Sequence, residues 1–176
     1  MKRKIFLCVL LLTGYLFSSC DSEDFKYEDD FNKSHKVWLN FKSQSNNSYK
    51  YTVKGGTWVG ASWETTITVK DGKIVERHFE YTHIAEELTP VEDEEMEWTE
   101  GEDEINTHKE THAWIAMTLD DIYVKAKEDW LKERKDANIL FETKNDGMIS
   151  LCGYTPGNCA DDCFRGISIK QIEALE

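Results

Sequence analysis

Three kinds of residue in this 176-residue chain have the type and spacing to do chemistry: cysteines, histidines and clustered carboxylates. Cys152, Cys159 and Cys163 lie close together near the C-terminus. In an oxidising compartment such thiols form disulfides. Cys152–Cys163 is the expected pair, because one ends an expected strand and the other precedes the next; Cys159–Cys163 and Cys152–Cys159 are the alternatives. As a zinc site the trio lacks a fourth ligand and the Cys-x2-Cys knuckle. No basic neighbour is evident to activate a thiol nucleophile. His108 and His112 would share one helix face, but Lys109 stands where a zinc peptidase needs its glutamate, so they read as a surface pair. Residues Glu86 to Glu104 hold 11 acids and no base. Carboxylates suit calcium, yet this stretch lacks the Asp-x-Asp-x-Asp-Gly ligand loop; Asn158 to Asp162 also offers carboxylates, in a tight loop, and no specific metal site is assigned. So self-repelling a block reads as a solvated acidic loop, 86–104, with Met96 and Trp98 as its only packing hints. Trp58 and Trp63 flank Val59-Gly60-Ala61 and are the candidate binding residues. They could stack on a sugar or anchor a protein partner, or they could complete the core. The chain contains no phosphate-binding glycine loop, dinucleotide fingerprint or Gly-x-Ser-x-Gly elbow, so neither cofactor nor catalytic residue is assigned.

The elements that position these residues follow from hydropathic period. Phe31, Trp38, Leu39 and Phe41 give an amphipathic helix over 29–43, ended by a polar turn at 44–48. Tyr49-Lys50-Tyr51-Thr52-Val53 alternates as a strand, and Gly55-Gly56 reads as the turn after it. Trp63 to Lys70 and Lys73 to Tyr81 are strands joined by Asp71-Gly72, a hairpin signal because both central residues need positive φ. Thr118-Leu119-Asp120-Asp121 is a capping-box variant opening a helix through Ile122, Tyr123, Ala126 and Trp130. Strands follow at 139–143, 148–154 and 166–172, with Asn145-Asp146-Gly147 as a turn. This order predicts an α+β domain: a mainly antiparallel sheet with two helices packed on one face.

The N-terminus has the three parts of a secretory signal: basic Met1-Lys2-Arg3-Lys4, an apolar run from Ile5 to Phe17, and small residues at the cut. The 13-residue run is short of the roughly 20 needed to span a bilayer. Leu16-Phe17-Ser18-Ser19-Cys20 resembles the bacterial lipobox, with Phe17 where leucine is usual. The resemblance implies cleavage before Cys20 and its lipidation on sulfur and on the new amino terminus. Several acyl chains anchor stably, at about 0.8 kcal/mol per buried CH₂. Asp21-Ser22-Glu23-Asp24 resembles the export signal of surface lipoproteins of the Bacteroidota. The expected organisation is a signal peptide at 1–19, an acidic tether at 20–30 and one domain at 31–176. The expected location is the outer membrane, lipid-anchored and surface-exposed.

Loss of residues 1–19 removes three cations and no acid, taking the net charge from −13 to about −16. So acidic a surface repels phosphate backbones, and nucleic acid is not an expected partner. The Trp38 helix, the Tyr-x-Tyr strand at Tyr49, the hairpin Val69-Lys70-Asp71-Gly72-Lys73-Ile74 and the helix start at Thr118 together resemble a group of uncharacterised bacterial lipoproteins. That resemblance implies a fold and no activity. The leading expectation is a non-catalytic, lipid-anchored module that binds a protein, a glycan or an envelope component. The alternatives are an envelope hydrolase with an undisclosed carboxylate site, and an inhibitor whose acidic loop fills a basic cleft.

Overall fold

A computed structural model describes residues 25–86, 88, 91–109, 111–161 and 163–175. Cys20, the signal peptide and the acidic export segment lie outside the described residues. The fold is mixed α+β and built on a seven-stranded sheet. The strands are β1 (Tyr49–Gly56), β2 (Ala61–Lys70), β3 (Lys73–Ile84), β4 (Glu97–Gly101), β5 (Ala137–Glu142), β6 (Leu151–Pro156) and β7 (Arg165–Ala174). Their order is β4-β3-β2-β1-β7-β6-β5, and every neighbouring pair is antiparallel. The first helix, α1, spans Glu28–Gln44. A single helical turn, α2 (Asp93–Met96), precedes β4. Helix α3 spans Leu119–Lys125 and runs into a π-helical turn, Ala126–Trp130. Among the described residues no helix is long and apolar enough to cross a membrane.

Local chemistry accounts for these elements. Asp71 and Gly72 take φ of 50° and 79°, the two positive values a tight hairpin requires. Thr118 caps α3 reciprocally: its hydroxyl accepts from the Asp121 amide, and the Asp121 carboxylate accepts from the Thr118 amide. Period-2 alternation places Tyr49, Tyr51, Val53, Ile67 and Val69 on one face of the sheet. They join Phe31 and Trp38 of α1, and Leu119, Ile122 and Tyr123 of α3, in the main core.

The two tyrosines of the Tyr-x-Tyr strand are buried whole, and their hydroxyls organise the start of α3. Tyr51 donates to the Met117 carbonyl at 2.6 Å, and Tyr49 accepts from the Leu119 amide at 2.9 Å. Burial drives both phenols well above their usual pKa, so they stay protonated. Helices α1 and α3 are tied by Trp38 Nε1 donating to Asp120 (3.0 Å), by Lys42 on the same carboxylate (2.7 Å), and by the Ser34–Tyr123 hydroxyl pair (2.8 Å). Burial raises the Tyr123 phenol to about 12.

Three sequence expectations need correction. Gly55-Gly56 is not a turn; both glycines belong to β1, and the chain turns at 57–60. Gly55 is there because the Trp63 indole crosses the strand at that point, where any Cβ would collide with it. The acidic block is not wholly a solvated loop, since Glu97–Gly101 is edge strand β4 with Trp98 and Glu100 buried. The helix at Thr118 does not stay α-helical to Trp130: the Leu131 amide bonds back to Ala126, and the wider turn carries Trp130 into the core.

Candidate binding site

Residues 105–109 and 111–118 cross the core side of β2, β3 and β4 in irregular conformation, and sheet side chains satisfy several of their backbone groups. Arg77 of β3, fully buried, donates through Nε to the Trp114 carbonyl (2.9 Å), through Nη2 to Ala113 (3.2 Å) and through Nη1 to Glu100 (3.1 Å). Glu100, cross-strand from Arg77, also accepts from the amides of Asn106 (2.7 Å) and His108 (2.6 Å). Burial alone would raise the Glu100 carboxyl; the two amides and the Arg77 guanidinium outweigh it and hold it below the usual carboxylate range. Thr65 accepts from the Trp114 amide at 3.0 Å, and Asn106 pairs with both backbone groups of Ala116.

Aromatic stacking completes this cover. His108 lies flat on Trp98, with ring centroids 4.2 Å apart, and Arg77 packs over the same indole at 4.9 Å. His112 packs on Trp63 at 4.5 Å, and its Nδ1 lies 2.7 Å from the Tyr81 hydroxyl. Burial, with the Glu95 carboxylate nearby, raises the Tyr81 phenol. Neither His108 nor His112 is on a helix. They sit on Trp98 of β4 and Trp63 of β2, with β3 between. Among the described residues no group of three or more His, Cys, Asp or Glu is placed to hold a metal ion.

Where this cover ends, the sheet opens. Strand β7 changes partner along its length: Arg165 to Ser168 pair with β6, whereas Ile169 to Ala174 pair with β1. The β1–β7 ladder stops at Val53↔Ile169, yet β1 runs on to Gly56 against β2 alone. The two strands form a fork, and a cleft of about 270 Å³ occupies it. Its floor is Val53 to Gly56 and Gly166, its walls are the rings of Trp63, His112, Trp114 and Phe164, and Thr65, Ser168 and Lys54 supply polar groups. Trp114 is backed by Trp130, with ring centroids 6.2 Å apart, so the π turn after α3 supports the cleft wall. Phe164 lies against the cross-strand pair Gly153↔Gly166, where a Cβ on either glycine would strike its ring.

The candidate binding residues part company. Trp63 is a wall of the cleft, whereas Trp58 projects into solvent from the 57–60 turn, 75% exposed. The expected Cys152–Cys163 bridge is not formed: Cys163 pairs with Cys159, the alternative, and Cys152 is a free thiol. The reason is strand alternation. Cys152 faces the core between Phe141 and Ile167, and burial drives its thiol pKa up, while Cys163 lies outside the strands, in the loop before β7. That bridged loop delivers Phe164 to the cleft. Asp162, one carboxylate of the calcium candidate at 158–162, lies outside the described residues.

Sequence reasoning missed Trp114, His112 as a stacking partner, Phe164 and the strand glycines. The available signal was Gly55 and Gly166 inside otherwise alternating strands, which marks close approach rather than a turn. No protein-family model, curated protein or solved structure matches this chain.

Proposed function

We propose that this chain is a lipid-anchored outer-membrane lipoprotein, surface-exposed, whose domain is a non-catalytic binding module that takes its ligand in the β1–β7 fork. The observation that carries the reading is the fork itself: a cleft walled by four rings and floored in part by glycines, where β1 and β7 part inside the sheet. Aromatic walls with a few convergent hydroxyls suit recognition more than chemistry. The lining residues include one imidazole and one ammonium and no carboxylate, so the convergent acid pair that would favour a hydrolase is missing from it. The core that α1 and α3 share with β1, β2 and β7 supports both helices lying on one face of the sheet. The lipobox-like Cys20, the acidic segment after it and the likeness to uncharacterised lipoproteins support the anchor and its outward placement. The inhibitor reading needs the acidic segment to protrude; Glu97–Gly101 is committed to the sheet, which leaves for it only the short exposed turns at Asp93–Met96 and Glu102–Glu104.

Cell fractionation and photo-crosslinking test the proposal together. Cys20→Ala should release the protein from the membrane. A photoreactive amino acid in place of Ser168, which lines the cleft, should give a discrete adduct in cells, and Trp63→Ala should abolish it. An adduct indifferent to Trp63→Ala, or a protein that stays membrane-bound without Cys20, would contradict the reading.

A further inference from the structure

From the geometry of the fork we infer that its ligand is an extended peptide segment of a partner protein, bound as an added strand between β1 and β7. This deepens the proposal above and rests on the fork being the ligand site. Past Val53, β1 pairs only with β2, and before Ile169, β7 pairs only with β6. Each strand therefore turns one edge toward the other across the cleft, with no strand between them among the described residues. Backbone groups alternate in direction along a strand, so alternate residues of 54–56 and 165–168 present N–H and C=O into the gap. A peptide main chain complements two facing rows of this kind; β-strand addition is the recognition mode that uses them.

The side chains around the fork suit that occupant. Gly55 and Gly166 lie under the Trp63 and Phe164 rings, which line the fork from its β1 and β7 sides. Three residues of strand span about 10 Å, the length of β1 beyond its last β7 partner. The outer edge at β4 is short and carries two acids, a usual protection against added strands. An added strand would point successive side chains to opposite faces. One face meets Trp63, His112 and Trp114, which select an apolar or aromatic residue. The other meets Ser168 and Lys54, whose cross-strand neighbour Glu64 is ion-paired with Lys170, so that Lys54 selects an acid. The ligand is thus an extended segment with an apolar residue next to an acidic one.

The test uses the full-length lipidated protein in detergent. A random hexapeptide display library is selected on it, and the tightest synthetic peptide is remade as a series of single N-methyl variants. The expected result is a period-2 pattern: methylation at every second position weakens binding at least tenfold, and the positions between change it less than twofold. Bound peptide should also slow amide exchange in 54–56 and 165–168. Selected peptides that show no such alternation, or that protect other segments, overturn the inference. If no peptide is selected but an oligosaccharide panel slows exchange at the fork, strand addition fails and the binding cleft stands. If neither class reaches the fork, both fail.

Discussion

The Arg77–Glu100 pair is the fastener of the 105–118 cover, and its loss should be costly. Glu100→Gln leaves the Arg77 guanidinium buried without a counter-charge, and places an amide NH₂ against one of two backbone donors, Asn106 N or His108 N. Removing one partner of a buried, hydrogen-bonded ion pair costs about 3–5 kcal/mol. In a domain of this size each kcal/mol lowers Tm by about 2–4 °C, so a fall of about 6–20 °C is expected. Urea unfolding followed by tryptophan fluorescence reads it directly, because Trp114 lies on the affected segment and Trp98 stacks on its His108. The double variant Arg77→Met/Glu100→Leu buries no charge and should lose less than the sum of its single variants by about 2 kcal/mol or more. The pH dependence has a definite sign. The Glu100 carboxyl is held below its unfolded value, near 4.3. Its contribution is therefore complete above that pH and lost as pH falls below it toward the folded value. Glu100→Gln should flatten that acid limb. A loss under about 1 kcal/mol at pH 7, or strictly additive single variants, would refute the reasoning.

Cys152 should resist thiol reagents in the folded protein and react on unfolding, while reduction should add the hydrogens of one bridge to the intact mass. Replacing both Cys159 and Cys163 by Ser should cost about 2 kcal/mol in unfolding measurements, because so small a loop gives up little chain entropy. Tyr51→Phe removes the donor to the half-buried Met117 carbonyl and should cost about 1 kcal/mol, measured by denaturant titration. Gly55→Val should push the Trp63 ring off the strand, and a changed Trp63 environment in fluorescence or NMR would report it.

How much of this was legible in the sequence depends on whether a residue's partner was near in the chain. The Asp71-Gly72 hairpin, the Thr118–Asp121 cap and the alternation of Tyr49, Tyr51, Ile67 and Val69 are local signals, and each element forms where it was expected. Strand β4 was hidden because Glu100 reads as one more acid in a self-repelling run. It is buried only because Arg77 arrives from β3 and two amides from the following segment. The disulfide went to the wrong partner because proximity along the chain does not say which face of β6 a side chain occupies. The fork was invisible because it arises from β7 changing partners at Ile169, a property of strand pairing that no single segment encodes. Trp63 was singled out by type, but its companions His112, Trp114 and Phe164 come from two other segments.

The most direct test is amide exchange on the anchored protein in isolated outer membranes, compared with the same protein purified in detergent. If the fork holds a ligand in its native setting, exchange in 53–56 and 164–168 should be slower in the membranes, with the rest of the sheet unchanged. Identical exchange in these two segments, or protection confined to other parts of the surface, would contradict the fork as the binding site.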